Sequence, residues 1–175
     1  MFIERLQRHL AICSATQISP FLAREPDRWH VLSIRDPMHA ETELAQAKSV
    51  QHLIFEDALP SLEPESPGPK AAHLETLLTY AAQHADEPLV LQCWAGRSRS
   101  TAMALVLIVQ GLREQGLTDA DLVQATVDIL LNLRPNAIPN AFVLRLGLDQ
   151  FLDPAEAQSL CKSLLREPRI KANFV

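Results

Sequence analysis

Three things are scarce in this sequence: cysteine, basic charge and uninterrupted apolar runs. Its three cysteines, Cys13, Cys93 and Cys161, form no C-x-x-C pair, so neither a disulfide framework nor a zinc site is indicated, and a reducing compartment is expected. The six histidines, His9, His30, His39, His52, His73 and His84, show no metal-ligand spacing. They are read as surface or edge residues, and no metal or cofactor is expected. A formal net charge of -5 lacks the clustered basic excess of a nucleic-acid or anionic-membrane binder. The apolar stretch from Ala102 to Val109 is far too short to cross a bilayer. The N-terminal MFIERLQRHLAIC mixes acid, base and short apolar pieces, unlike a secretory signal. The expectation is a cytoplasmic protein that binds neither nucleic acid nor membrane.

What is present is enough for one core. With 175 residues, 47% of them hydrophobic, the chain is expected to fold as a single domain over residues 1–175. Short apolar segments at Leu10–Cys13, Trp29–Ile34, Val50–Phe55 and Leu89–Gln92 read as strands. A loop rich in proline (Pro60, Pro64, Pro67, Pro69) separates the third from the fourth and can be neither a regular helix nor a ladder strand throughout. Beyond it, Leu74, Leu77, Leu78, Ala81 and Ala82 recur on one helical face. Later helix starts are legible at Thr118 with Asp121, at Asp153 followed by Pro154 and Glu156, and at Asn140 ahead of AFVLRLGLDQFL. This order predicts an α/β fold: a mainly parallel sheet of four or five strands flanked by helices, with a helical C-terminal half.

The chemistry concentrates in LQCWAGRSRST, between the fourth strand and the buried helix that starts near Ala102. Cys93 and Arg99 bracket Trp94, Ala95, Gly96, Arg97 and Ser98, enough chain to wrap a tetrahedral anion in backbone N–H groups at a helix N-terminus. Gly96 supplies the positive φ that such a nest needs, and Arg99 offers a planar fork to two phosphoryl oxygens. The same N–H array favours Cys93 as a thiolate and hence as a nucleophile, with Ser100 placed to donate its hydroxyl to the sulfur. Sites of this kind belong at the carboxyl ends of parallel strands.

These residues resemble the signature of cysteine-dependent protein tyrosine phosphatases, specifically the small dual-specificity type, H-C-x5-R-[S/T]. Cys93, Gly96, Ser98, Arg99 and Ser100 match it, and CWAGRSRSTAMAL with RPNAIPN (Arg134 to Asn140) is similar to a compact bacterial branch, covering Trp29 to about Asp149. The resemblance implies hydrolysis of a phosphorylated protein or a small phosphate monoester through a cysteinyl-phosphate, without metal. It also implies an aspartate as general acid on a loop before the cysteine. Asp57 is the candidate and Glu56 the rival, although neighbours on a strand point to opposite faces; Glu63 and Glu65 are remoter. Gln92 stands where the family usually has histidine.

Other readings are kept beside these. Trp94 is either a wall of the pocket or a packed residue. Arg97 points either to solvent or to a second acidic group of the substrate. Cys13 and Cys161 are packing residues, with a redox partnership between Cys13 and Cys93 as a minor alternative. Asp36 in the Arg35–Pro37 segment reads as a turn residue. Two rival functions remain: a phosphate-binding pseudophosphatase, and a sulfurtransferase of the rhodanese type.

Overall fold

The apolar segments of the N-terminal half assemble edge to edge. A computed structural model describes residues 1–59 and 67–174. Its strands are β1 (Phe2–Ile3), β2 (Arg8–Ser14), β3 (His30–Arg35), β4 (Ser49–Ile54) and β5 (Leu89–Cys93), and its α-helices are α1 (Ala15–Leu22), α2 (Ala71–Gln83), α3 (Arg99–Glu114), α4 (Asp119–Leu133), α5 (Ala141–Leu148), α6 (Pro154–Arg166) and α7 (Pro168–Lys171). The five strands are ordered β1-β2-β5-β3-β4. β2, β5, β3 and β4 run parallel, and the short β1 pairs antiparallel with β2 at the edge. The expected α/β class, mainly parallel sheet and helical C-terminal half are therefore present.

β5 occupies the centre because every one of its residues is buried, which suits a strand covered on both faces. Side-chain alternation then divides the core. On one face Leu10, Ile12, Leu32, Leu89 and Leu91 meet α2 and the C-terminal helices through a large cluster, and Cys93 belongs to that cluster. On the other face Ala11, Cys13, Val31 and Val90 pack with Ile18 and Leu22 of α1. α3 lies at the heart of the larger cluster, buried at every position from Arg99 to Val109. Its N-terminus is thereby held against the carboxyl end of β5.

Several local details differ from the sequence reading. α1 was not anticipated: it is short and carries Pro20, but a capping box between Ser14 and Gln17 starts it and burial of Ile18 and Leu22 holds it. Thr118 is the residue before α4, yet its hydroxyl caps nothing; Asp119 follows at φ 48. Asp153 does cap α6, accepting from Ala155 and Glu156. Asn140 caps α5, but that helix ends at Leu148 rather than running to Leu152. Glu63 and Glu65, with Pro60 and Pro64 of the proline-rich loop, lie outside the described residues.

Candidate active site

Cys93 closes β5 with 1% of its surface exposed, and its Sγ lies 3.0 Å from the Ser100 Oγ in the first turn of α3. Gly96 has φ 63, the left-handed region that favours glycine. A Cβ there would sit 2.7 Å from the Ser14 nitrogen and 2.8 Å from the Cys13 carbonyl carbon, so the β2 main chain also requires glycine at this point.

Three carbonyls of the 94–98 loop are drawn outward. Trp94 O accepts from the Ala15 N–H at 3.0 Å, and Arg97 O from the Ile138 N–H at 2.7 Å. Ala95 O accepts from Arg134 Nη2 at 3.0 Å. In a trans peptide the N–H of the next residue points opposite to the carbonyl, so the N–H groups of Ala95, Gly96 and Ser98 turn toward the inside of the loop. Arg97 reinforces the bracing by donating its Nε to Asn136 O at 2.9 Å. The 134–140 segment is thus the outer support of the loop, and Arg97 is anchored to it.

Arg99 is 3% exposed, and its fork is held in place. Nη1 donates to Phe55 O at 2.6 Å and Nη2 to Asp36 Oδ2 at 2.8 Å. Nε, buried, has no hydrogen-bond partner among the described residues. Asp36 is therefore no mere turn residue; its carboxylate orients the guanidinium. Burial alone would raise the Asp36 carboxyl, but hydrogen bonding and charge from Arg99 and His39 outweigh it and hold it below the ordinary carboxylate value. His39 Nδ1 lies 2.9 Å from the same Asp36 oxygen, and its ring stacks on Trp94 at 4.4 Å and 17°. With 57% of its surface exposed, Trp94 stands with His39 as an aromatic wall.

Asp57 follows β4. Its Oδ1 accepts from Ser98 Oγ at 2.8 Å and from Asn140 Nδ2 at 2.7 Å, and its Oδ2 lies 3.9 Å from Arg99 Nε. Asn140 uses its two ends separately: Nδ2 holds Asp57, while Oδ1 accepts from the Phe142 and Val143 N–H groups, both at 2.9 Å, to cap α5. The sequence reading saw only the cap. Gln92, in the position before the cysteine, accepts from Ser33 Oγ at 2.7 Å, with both residues buried. The pair ties β5 to β3 through two neutral groups.

No family model and no curated protein sequence matches this chain. Solved structures do. Human DUSP28 aligns over 86% of this chain and 94% of its own, at 21% identity and a TM-score of 0.56. A mouse dual specificity phosphatase crystallised with zinc tungstate aligns over 91% and 89%, at 20% identity and a TM-score of 0.56. The tyrosine phosphatase OH1 from the Orf virus aligns over 83% and 84%, at 19% identity and a TM-score of 0.55. The chain has the fold of the cysteine-dependent protein tyrosine phosphatases.

Within this phosphatase fold the other cysteines stand apart from the site. Strand alternation puts Cys13 on the α1 face and Cys93 on the opposite one, which removes the redox partnership between them. Burial pushes the Cys13 and Cys161 thiols up to about 11, as expected of packing residues. His30 is a correction: it is a core residue, with Nδ1 2.6 Å from Ser49 Oγ and Nε2 3.0 Å from Glu87 Oε2. His30, His84 and Glu87 bring ligand-type atoms within 4.8 Å of one another. The two rings, however, stack at 3.7 Å and 20°, so they cannot both aim in-plane lone pairs at one ion, and Glu87 is engaged by Lys48. None of the described helices is long and apolar enough to cross a membrane.

Proposed function

We propose that the protein is a phosphate monoester hydrolase of the protein tyrosine or dual-specificity type, acting through a cysteinyl-phosphate. The observation that carries this is one arrangement: Cys93 at the end of β5, the N–H groups of Ala95, Gly96 and Ser98 turned into the loop, and Arg99, whose buried Nε has no hydrogen-bond partner among the described residues, in the first turn of α3 all lie on one strand-to-helix turn, whose inner volume is at that helix N-terminus. That volume suits an anion.

In this reading the Cys93 thiolate attacks phosphorus, an S–P bond forms and the ester P–O bond breaks. Asp57 delivers its proton to the leaving oxygen. Water then attacks phosphorus and gives a proton to Asp57, the S–P bond breaks, and inorganic phosphate leaves. The Ser100 hydroxyl donates to the returning thiolate. Negative charge on the equatorial oxygens is met by the loop N–H groups and by Arg99, preorganised by Asp36 and the Phe55 carbonyl. Because the protein's own dipoles and guanidinium supply this neutralisation, the scheme uses no metal. Trp94, Ala95, Gly96, Arg97, Ser98 and Ser100 form and brace the phosphate site.

Release of p-nitrophenol from p-nitrophenyl phosphate between about pH 5 and pH 8, with chelator and reductant present, tests the reading. Wild type should turn over and Cys93→Ser should not, while still binding phosphate or vanadate. Appreciable turnover in Cys93→Ser would sink the covalent scheme. The buried neutral Gln92–Ser33 pair favours a second reading, a phosphate-binding protein without turnover, and binding with no turnover in the wild type would assign it. Consumption of thiosulfate would point instead to sulfur transfer.

A further inference from the structure

Beside the phosphate loop, the surface opens into a groove of about 670 Å³ that starts at Asp57 and Ser98. Its walls are largely apolar: Leu59, Ile138, Pro139, Leu165 and Phe174 line it. Two cations line it as well, Arg166 at the end of α6 and Lys171 at the end of α7. Both are exposed, and neither has an ion-pair partner among the described residues, whereas Arg28, Arg113, Arg145 and Arg169 each face a carboxylate. Glu167, their neighbour in sequence, is committed to Arg169. Among the described residues Asp57 is the only acid in the lining.

Two unpaired cations beside an apolar trough stand out in a chain whose net charge is -5. The volume is that of a site for a few residues or a small molecule, continuous with the phosphate loop through Ser98 and Asp57. A membrane surface would be recognised by a larger basic cluster, on the order of four to eight lysines and arginines. The net negative charge also opposes an anionic lipid face.

We propose that this groove reads the sequence around a phosphorylated side chain: an apolar residue next to it fills the trough, and a carboxylate beyond that pairs with Arg166 and Lys171. The occupant is an acidic phosphopeptide segment of a partner protein. The inference rests on the phosphatase reading above. Arg166 and Lys171 set specificity and touch no reacting atom.

The test uses two synthetic phosphotyrosine peptides that differ only in carrying glutamate or glutamine on both sides, beyond an apolar neighbour. kcat/KM is measured for both with wild type and with Arg166→Glu plus Lys171→Glu. In parallel, binding of the same peptides to Cys93→Ser is followed by fluorescence anisotropy. Exposed ion pairs of this kind are worth about twofold to tenfold in all, so wild type should favour the glutamate peptide by that factor, and the double variant should lose or invert the preference. Hydrolysis and binding of both peptides with a ratio of one, or a preference the double variant leaves intact, overturns the groove assignment while leaving the phosphatase reading standing. The reverse outcome, no turnover with the glutamate preference kept in Cys93→Ser binding, overturns hydrolysis and supports the groove. Preferential turnover of a short-chain phosphoinositide over both peptides also overturns the assignment.

Discussion

Gly96→Ala separates the two demands made on the phosphate loop. The first demand is conformational: at φ 63 a non-glycine residue is disfavoured by about 1–2 kcal/mol. The second is steric, since the new Cβ would lie 2.7, 2.8 and 2.9 Å from the Ser14 nitrogen, the Cys13 carbonyl carbon and the Cys13 oxygen. All three atoms are main chain at the end of β2, where Ser14 is paired with Cys93, so no side chain can swing aside. Bringing the closest of them out to an ordinary 3.4 Å means opening the loop by about 0.7 Å, and overpacking of that kind adds about 1–3 kcal/mol. The combined loss of about 2–5 kcal/mol corresponds to a fall in Tm of about 4–20 °C. A displacement approaching 1 Å in a catalytic constellation costs about a hundredfold in rate. Gly116→Ala is the control, because Gly116 also has a positive φ, 85, but open space around its missing Cβ. It should lose only the conformational part, about 1–2 kcal/mol, with kcat/KM unchanged. Thermal unfolding and p-nitrophenyl phosphate kinetics on both variants decide the matter. If Gly96→Ala keeps its rate within twofold, or is no less stable than Gly116→Ala, the close approach of β2 is not what shapes the loop.

Asp36→Asn removes the charge that orients Arg99; the lost charge-assisted bond is worth about 1.5–3 kcal/mol, so kcat/KM should fall about tenfold or more, and Asp36→Glu should recover part of it. Because the Asp36 carboxyl is held below its ordinary value, its contribution is present above the unfolded carboxylate value of about 3.9 and is lost as pH falls through the folded one; acid denaturation should therefore be steeper below about pH 4 in wild type than in Asp36→Asn. Asn140→Asp keeps the α5 cap acceptor but replaces the amide that donates to Asp57 with a second carboxylate, so kcat/KM should fall while thermal unfolding shows the cap retained. Asn140→Ala should instead destabilise by about 1 kcal/mol through loss of the cap. Ser33→Ala strands the buried Gln92 Oε1 and should destabilise by about 1–3 kcal/mol in urea unfolding.

The parts legible in the sequence are those fixed by local chemistry. Short apolar runs located β2 to β5 to within a residue or two. The cysteine-to-arginine spacing, with a glycine between, located the strand-to-helix loop because those residues are contiguous in the chain; its braces from Ala15 and residues 134–140 are not. What stayed hidden depends on contacts between distant segments. Asp36 reads as a turn residue because nothing near it shows that Arg99, 63 residues on, will arrive at its carboxylate; only the parallel pairing of β3 with β5 brings the two together. Asn140 hid its second role for a related reason: an amide before a helix is explained by capping, and the spare Nδ2 acquires its meaning only when Asp57, 83 residues away, closes over it. His30, with no metal-ligand spacing to give it a role, reads as a surface or edge residue, whereas Ser49 and Glu87 satisfy both ring nitrogens and allow its burial. In each case one side chain serves two elements at once. Such residues couple the chemistry of the loop to the packing of the sheet, which is why Asp36 and Asn140 variants should change rate and stability together, while Arg166 and Lys171, outside that network, should change peptide preference alone.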